Sequence, residues 1–349
     1  FGKDDIEYAE LDNDKVVLLN YTSGTTGFSK GVMLTGNNLA GNVMYGIELG
    51  VLYRGERELC FLPLAHAYSC AFNFLVPMAV GAHVYLLGKV PSPKILLKAF
   101  EEVKPNLILT VPLILEKIYK KMILPQLSKT TMKVALNIPL LDSRIYAQIR
   151  KKLVDAFGGR FREVIVGGAA MNEEVTNFLY KIKFPFTIGY GMTECGPLIS
   201  YDHNDEYVPG SCGQILKGIM KVRIDSEDPY NKVGEIQVSG ENVMKGYYKN
   251  EEATSKVFTE DGWLRTGDLG TIDADNRIYI RGRSKTMILG ASGQNIYPEE
   301  IESKLNNLPF VMESIIIEKN GKLVGLVYPD YDTVDSTGIS HEDLPIIME

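Results

Sequence analysis

The sequence has little cysteine and little histidine, with four of each among 349 residues. The cysteines are Cys60, Cys70, Cys195 and Cys212. None forms a C-x-x-C pair, and their spacing does not match a zinc site. We interpret them as isolated, buried thiols in a reducing cytoplasm. The histidines, at positions 66, 83, 203 and 341, are too dispersed to indicate a metal cluster.

The chain also lacks an excess of positive charge and a long apolar run. Its net charge is -7 and its Lys and Arg residues are scattered, which argues against a nucleic-acid-binding protein. No signal peptide is visible. The longest apolar stretch, residues 72–88, is interrupted by polar residues, proline and glycine, and is therefore typical of a protein core. We expect a cytoplasmic protein without a transmembrane segment.

The length and composition are those of a globular protein with two or three domains, with 45% apolar and 23% charged residues. Up to about residue 200, apolar runs alternate with helical patterns. The predicted strands are residues 16–21, 58–63, 82–87, 107–111, 163–166 and 187–190. A helix is predicted from Pro93 to Val103, and Thr35 or Asn37 is a candidate N-cap of the helix that follows the first strand. Glycines at the ends of several strands predict an α/β sheet that binds its ligand at the strand exits.

The pattern changes in the second half of the chain. Short predicted strands at 221–224, 234–239, 271–273 and 277–280 indicate a small antiparallel barrel or sandwich. Pro298 then starts a helix whose glutamates favour its N-terminal dipole. Predicted strands at 314–318 and 323–328 follow, and the tail after Asp330 is acidic and less patterned. We therefore predict three units: 1–200 (α/β), 201–282 (β-rich) and 283–349 (part of a small α+β domain).

Residues 21–31, Tyr-Thr-Ser-Gly-Thr-Thr-Gly-Phe-Ser-Lys-Gly, have the composition of a phosphate-binding loop. Its glycines let the backbone approach an anion, and its hydroxyls and lysine supply further donors. With a predicted strand before it and a helix after it, the loop is placed where anions bind in α/β folds. It is not a Walker A loop, because Lys30 follows Ser29 instead of glycine. The alternative is a flexible surface turn rich in glycine and threonine.

This loop resembles that of the adenylate-forming, AMP-binding superfamily, which contains acyl-CoA synthetases, luciferases and peptide-synthetase adenylation domains. Other segments resemble the superfamily's motifs in the same order. They are Leu62-Pro63-Leu64-Ala65-His66-Ala67-Tyr68, Gly167-Gly168-Ala169-Ala170, Gly189-Tyr190-Gly191-Met192-Thr193-Glu194, Gly262-Trp263-Leu264-Arg265-Thr266-Gly267-Asp268, Gly282-Arg283-Ser284-Lys285 and the segment 292–302. The resemblance spans roughly residues 20 to 305 and implies a large AMP-binding domain followed by part of a C-terminal domain.

The resemblance implies a role for each matched residue. The nucleotide would bind to Thr22, Ser23, Gly24, Thr25, Thr26, Gly27, Lys30, Gly168, Ala169, Ala170, Tyr190, Gly191, Met192, Thr193, Asp268, Ile280 and Arg283. Tyr190 would stack on adenine, Asp268 would accept bonds from the ribose hydroxyls, and Glu194 would hold Mg²⁺. The residues implied in catalysis are Lys30, Thr193 and Glu194. His66 and Gly189 would bind the acyl substrate, and Lys285 would be the hinge.

The implied reaction uses ATP, Mg²⁺ and coenzyme A. A carboxylate attacks the α-phosphate of ATP, and a thiol then displaces AMP. The acyl segment lacks the aspartate of amino-acid-activating relatives, and the motifs look most like bacterial long-chain fatty acid–CoA ligases. Fatty substrates partition into bilayers, which leaves peripheral membrane contact open. The alternatives are a fatty acyl–acyl-carrier-protein ligase and a catalytically incompetent nucleotide-binding fragment. A single structural histidine is the alternative for His66.

The sequence departs from the superfamily pattern in two ways. Ser29 stands where proline often precedes the lysine, which predicts a more mobile loop. Only about 20 residues precede the loop, and no lysine follows Asp330, although the superfamily has a catalytic lysine near the end of its C-terminal domain. We therefore expect a chain truncated at both ends that adenylates poorly as it stands.

Overall fold

The computed structural model of the protein describes residues 12–22, 29–127, 129–138, 141–289, 294–344 and residue 347. Within these ranges, strands and helices alternate up to residue 188 and strands dominate from there to residue 283, so the predicted α/β class is confirmed. The three predicted unit boundaries stay predictions.

The strands fall into several separate sheets. They are β1 (Val16–Thr22), β2 (Lys30–Thr35), β3 (Arg57–Cys60), β4 (His83–Leu86), β5 (Leu107–Thr110), β6 (Glu163–Val166), β7 (Phe186–Ile188), β8 (Tyr190–Gly191), β9 (Leu198–Tyr201), β10 (Gln214–Ile215), β11 (Met220–Asp225), β12 (Gly234–Gly240), β13 (Gly246–Tyr247), β14 (Leu264–Ile272), β15 (Ile278–Arg283), β16 (Ile288–Leu289), β17 (Asn295–Ile296), β18 (Val311–Lys319) and β19 (Lys322–Pro329).

The helices lie mainly between the strands of the first half. They are α1 (Gly36–Glu48), α2 (Ala67–Ser69), α3 (Val76–Val80), α4 (Pro93–Val103), α5 (Pro112–Ile118), α6 (Leu124–Leu127), α7 (Thr130–Ala135), α8 (Leu141–Ala156), α9 (Glu173–Lys181), α10 (Glu251–Val257), α11 (Pro298–Leu305) and α12 (Tyr331–Thr337). Two π-helical segments, Cys70–Leu75 and Tyr119–Ile123, continue α2 and α5.

A parallel sheet of the order β4-β3-β5-β6-β7 forms the centre of the first half. Strands β5 and β6 are fully buried, as expected for a parallel sheet covered on both faces. One apolar core packs Leu59, Phe100, Ile108 and Val164 against the helices. The C-terminal end of β6 opens onto Gly167–Ala170, and its neighbour β7 leads into β8. The sheet therefore brings two predicted nucleotide motifs to one edge.

The predicted phosphate loop, whose residues 23–28 lie outside the described residues, is flanked by the two strands of a β-hairpin. Strands β1 and β2 pair antiparallel, and β13 adds to the other side of β2. Helix α1 begins only at Gly36, where Thr35 caps it as expected and forms a capping box with Asn38. A strand that the sequence analysis did not predict, β2, therefore lies between the loop and this helix.

Strands of the β-rich part form an antiparallel sheet of the order β11-β12-β14-β15. This agrees with the antiparallel prediction, although β14 is longer than the predicted segment 271–273. Asp268 and Arg283 are paired across β14 and β15. The sheet thus places the predicted ribose aspartate and an arginine side by side.

The C-terminal part consists of α11, the hairpin β18–β19 and helix α12. Helix α12 lies in the tail that the sequence left without a pattern. The C-terminal end of α11 contacts the first half. The Asn172 side-chain amide donates to Ser303 O at 3.1 Å and to Asn307 Oδ1 at 2.7 Å, and the Lys120 ammonium donates to Asn306 O at 2.8 Å.

None of the helices within the described ranges has both the length and the apolar character needed to cross a bilayer.

Candidate nucleotide site

The predicted phosphate loop is flanked by Thr22 and Lys30, which pair with each other in the β1–β2 hairpin. Ser23, Gly24, Thr25, Thr26 and Gly27, which the sequence assigns to the phosphates, lie outside the described residues. Both flanking residues are partly exposed. The hairpin therefore fixes the two ends of the loop, and Lys30 lies at one of them.

Lys30 and Glu194 both contact Tyr247. The Lys30 ammonium lies 4.7 Å from the centre of the Tyr247 ring, a cation–π distance. The Tyr247 hydroxyl donates to Glu194 Oε1 at 2.8 Å. Glu194 and Tyr247 are 9% and 5% exposed. The structure thus brings together two of the three predicted catalytic residues, which are far apart in the sequence, around a tyrosine that the sequence analysis did not assign.

Glu194 lies in a 3-10 turn, Thr193–Cys195, that follows β8. Thr193 and Met192 are partly exposed beside it. Gly191 is required by close packing, because a Cβ there would lie 2.4 Å from the Pro197 carbonyl oxygen. This approach lets β8 pair with β9 and turns Thr193 and Glu194 out of the sheet.

The Tyr190 hydroxyl donates to Asp268 Oδ2 at 2.7 Å. Arg283 approaches the other oxygen, with Nε 3.2 Å from Oδ1, while its side chain is 68% exposed. Burial raises the pKa of Asp268, whereas the Tyr190 hydroxyl and the Arg283 guanidinium oppose that rise. The ring of Tyr190 belongs to the core and is 7% exposed. Its predicted stacking on adenine stays a prediction, but its contact with the predicted ribose residue is direct.

The predicted adenine loop follows β6. Gly168, Ala169 and Ala170 are all exposed at the edge of the parallel sheet. Gly168 adopts a φ of 89°, a left-handed conformation that favours glycine. The chain can therefore turn sharply here and present backbone, with little side chain, to a flat ligand.

The predicted acyl segment contacts this loop through Tyr68. The Tyr68 hydroxyl donates to Ile165 O at 3.1 Å, and its ring lies 3.4 Å from where a Gly167 Cβ would be. His66 is exposed at the start of α2 and makes no side-chain capping bond. Gly189, the other predicted acyl residue, donates its N–H to Val166 O at 3.0 Å. The acyl and adenine segments are thus neighbours along the same sheet edge.

Two remaining predicted residues lie farther along the β-rich sheet. Ile280 is partly buried against the main core and pairs with Gly270 in the same two strands that carry Asp268 and Arg283. Lys285 is exposed in the turn after β15. The hinge role of Lys285 stays a prediction.

The described part of the chain contains no cluster of three or more His, Cys, Asp or Glu side chains that could hold a metal by themselves. The Glu194 carboxylate is a donor that suits Mg²⁺ when phosphate oxygens and water complete its shell.

Sequence reasoning missed Tyr247 and gave Tyr68 no individual role. Tyr247 follows Gly246 and precedes a capped helix, which is a weak signal for function. Its contacts with Lys30 and Glu194 join segments distant in the sequence, and a linear pattern does not show such contacts.

Comparison with known proteins identifies the family. The model of the family described as AMP-binding enzyme matches residues 3–248. The chain is 29% identical to long-chain-fatty-acid–CoA ligase 1 of Saccharomyces cerevisiae, covering 91% of this chain and 49% of that protein. It is 32% identical to 4-coumarate–CoA ligase 1 of Narcissus pseudonarcissus, covering 90% and 55%. The chain spans about half the length of the curated relatives it matches.

Solved structures agree with this result. ATP-bound MatB from Rhodopseudomonas palustris superposes with a TM-score of 0.73 at 26% identity, covering 93% of this chain and 62% of that chain. O-succinylbenzoate coenzyme A synthetase (MenE) from Bacillus subtilis, in complex with ATP and a magnesium ion, also superposes with a TM-score of 0.73 at 26% identity. The match covers 93% of this chain and 62% of that chain. The sequence resemblance is thereby confirmed, and the chain belongs to the AMP-binding enzyme family.

Proposed function

We propose that the protein activates a carboxylic acid, most specifically a fatty acid, as its acyl-adenylate at the expense of ATP and then forms a thioester with coenzyme A. Family membership supports adenylate chemistry. The choice of a fatty acid follows the motif resemblance and the similarity to the yeast long-chain ligase.

The observation that carries this proposal is the meeting of Lys30 and Glu194 on Tyr247 at the mouth of the loop. Attack of a carboxylate on the α-phosphate of ATP brings two anions together and releases pyrophosphate. The barrier therefore depends on charge neutralisation more than on covalent chemistry by the protein. A lysine and a carboxylate that can carry a divalent cation provide it.

The residues fit Mg²⁺. Tyr247 occupies Oε1 of Glu194, which leaves Oε2 for a cation. When bound, Mg²⁺ would neutralise phosphate oxygens as a Lewis acid. Thr193, next to Glu194, would donate its hydroxyl to the α-phosphate, and Lys30 would stabilise the departing pyrophosphate.

The other site residues would hold the nucleoside and the acid. Asp268, bonded to Tyr190 and Arg283, would accept from the ribose hydroxyls. The small residues at 168–170 would leave room for the base. The acid would approach along the acyl segment, where Tyr68 packs against Gly167. Residues 67–69 carry no charged side chain, which agrees with an uncharged acyl chain.

A second candidate substrate class is the hydroxycinnamic acids. The Narcissus 4-coumarate–CoA ligase is 32% identical to this chain, slightly more than the yeast fatty acid ligase at 29%. An aryl acid would use the same adenylation residues. The two candidate substrates would therefore contact the acyl segment differently but use the same adenylation residues.

The experiment is ATP–pyrophosphate exchange by the natural full-length protein with palmitate, 4-coumarate and phenylalanine, followed by thioester formation with CoA or acyl carrier protein. We expect exchange with palmitate, and transfer to CoA. Faster exchange with 4-coumarate would favour the second candidate, and no exchange with any acid would contradict adenylation.

Lys30→Met tests the carrying observation. We expect exchange to fall by about 100-fold, as for loss of a group that stabilises developing charge. Lys181→Met is the matched control, because Lys181 also lies over a tyrosine ring, that of Tyr146 at 4.9 Å, away from the proposed site. Equal activities of the two variants would contradict the role of Lys30.

A further inference from the structure

Residues 244–248 connect the strand that carries Lys30 with the turn that carries Glu194. The Met244 N–H donates to Glu194 O at 2.8 Å. The Tyr248 N–H donates to Gly31 O at 2.7 Å, directly after Lys30. One short segment thus holds both sides of the proposed phosphate site through main-chain bonds, with Tyr247 between its two anchor points.

Tyr247 itself is firmly held. Its N–H donates to Thr254 Oγ1 at 2.9 Å, and it pairs with Val32 of β2.

The contacts of Tyr247 suit a spacer between opposite charges. Its ring attracts the Lys30 ammonium and its hydroxyl bonds the Glu194 carboxylate. Lys30 forms no ion pair with an acidic side chain in the described ranges. A direct Lys30–Glu194 pair would neutralise both groups and leave neither for the ligand. A neutral aromatic group between them lets each keep its charge.

We propose that Tyr247 is a positioning residue that keeps Lys30 and Glu194 apart, directing the ammonium towards the phosphates of ATP and the carboxylate towards Mg²⁺. This proposal rests on the adenylation function proposed above. It predicts that the two contacts can be separated by mutation, because the ring serves Lys30 and the hydroxyl serves Glu194.

Two variants separate these contacts. Tyr247→Phe keeps the ring under Lys30 and removes the donor to Glu194, and Tyr247→Leu removes both. Tyr279→Phe is the matched control, since the Tyr279 hydroxyl also donates to a carboxylate, Oδ2 of Asp273 at 3.1 Å, outside the proposed site. ATP affinity is measured by calorimetry for the full-length protein, once with a chelator and once at saturating Mg²⁺. The ratio of the two dissociation constants is the magnesium gain.

For Tyr247→Phe we expect the magnesium-free affinity to stay within about two-fold of wild type and the magnesium gain to fall about 10-fold, as when a bond to a metal-ligating group is lost. Tyr247→Leu should also weaken magnesium-free binding, by about 5-fold. Tyr279→Phe should match wild type. A merely structural role would lower thermal stability and weaken both affinities together, which would overturn the proposal.

An unchanged magnesium gain in Tyr247→Phe would also overturn the proposal for Tyr247. If the wild type still bound ATP, that result would not contradict the proposed adenylation function. Failure of the wild type to bind ATP would instead contradict the proposed function, and this proposal with it. If Tyr247→Leu does not fold, the near-isosteric Tyr247→Phe decides alone.

Discussion

The hydroxyl of Tyr190 donates a 2.7 Å hydrogen bond to Asp268, joining the predicted adenine and ribose residues in one buried pair. Asp268 has a raised pKa because it is buried, and the bond from Tyr190 is the largest influence that opposes this rise. The ionised carboxylate is the form that can accept bonds from two ribose hydroxyls. Tyr190 therefore favours the ionised form of Asp268, the form that the proposed ribose site requires.

Tyr190→Phe should raise the pKa of Asp268 further, because it removes a bond to the ionised form. As the pH falls, Asp268 would then become protonated at a higher pH than in the wild type. We expect the loss of ATP affinity on acidification to occur at a higher pH in this variant. Calorimetry at a series of pH values from neutral to mildly acidic measures the ATP affinity of each variant. Protonation of ATP itself affects all variants equally.

Two variants control this experiment. Asp268→Asn cannot ionise at this position. It should bind ATP weakly, and its affinity should lack the pH dependence that the ionisation of Asp268 causes. Tyr279→Phe loses a comparable bond, from the Tyr279 hydroxyl to Asp273 Oδ2 at 3.1 Å, outside the proposed site, and should follow the wild type. If Tyr190→Phe and the wild type lose affinity over the same pH range, Asp268 does not act through its charge.

Local signals in the sequence were sufficient for much of the fold. The strand predicted at 163–166 is β6, and the predicted helix Pro93–Val103 has its expected bounds. Thr35 caps α1 as predicted. These elements depend on neighbouring residues, so periodicity and capping chemistry identify them.

Long-range pairing explains what the sequence did not show. Strand β2 is buried at most positions on both faces, so it lacks the alternation that marks a strand. Its second partner, β13, lies more than 200 residues along the chain. The same pairing brings Tyr247 to Lys30 and Glu194. Motif order predicted the residues of the site, but the tyrosine between them depends on this non-local strand.

Gly191→Ala should destabilise the fold. The new Cβ would lie 2.4 Å from the Pro197 carbonyl oxygen, which belongs to the backbone and cannot rotate away. We expect the free energy of unfolding to fall by about 1–3 kcal/mol, the usual cost of overpacking. Urea denaturation followed by circular dichroism measures the change.

Gly189→Ala is the matched control, two residues away in the same motif. Its nearest neighbour, Ser200 O, would lie 3.6 Å from the Cβ, an ordinary contact. We expect a change within about 0.5 kcal/mol. Equal destabilisation by both substitutions would mean that the motif tolerates no side chain at all, whatever the distance to Pro197.

Glu58 is a fully buried carboxyl in the parallel sheet beneath the acyl segment. The Asn73 amide donates to its Oε1 at 2.6 Å, and Oε2 has no hydrogen-bond partner among the described residues. Ser69, in the acyl segment's helix, in turn donates to Asn73 Oδ1 at 2.9 Å. Burial raises the pKa of Glu58 to about 8, against the opposing bond from Asn73. The carboxyl is therefore mostly neutral at physiological pH.

This raised pKa gives the protein a stability that depends on pH. In the unfolded chain Glu58 loses its proton near its ordinary pKa of 4.5, whereas in the folded protein it keeps the proton to about 8. Its contribution is complete below the lower value and declines as the pH rises through the interval. Glu58→Gln, which stays neutral, should therefore match the wild type below a pH of about 4.5 and become more stable than it as the pH rises, by roughly 5 kcal/mol at most in alkaline solution. Urea unfolding of both proteins across this pH range measures the difference, and a constant difference would show that Glu58 ionises in the folded protein as it does in the unfolded chain.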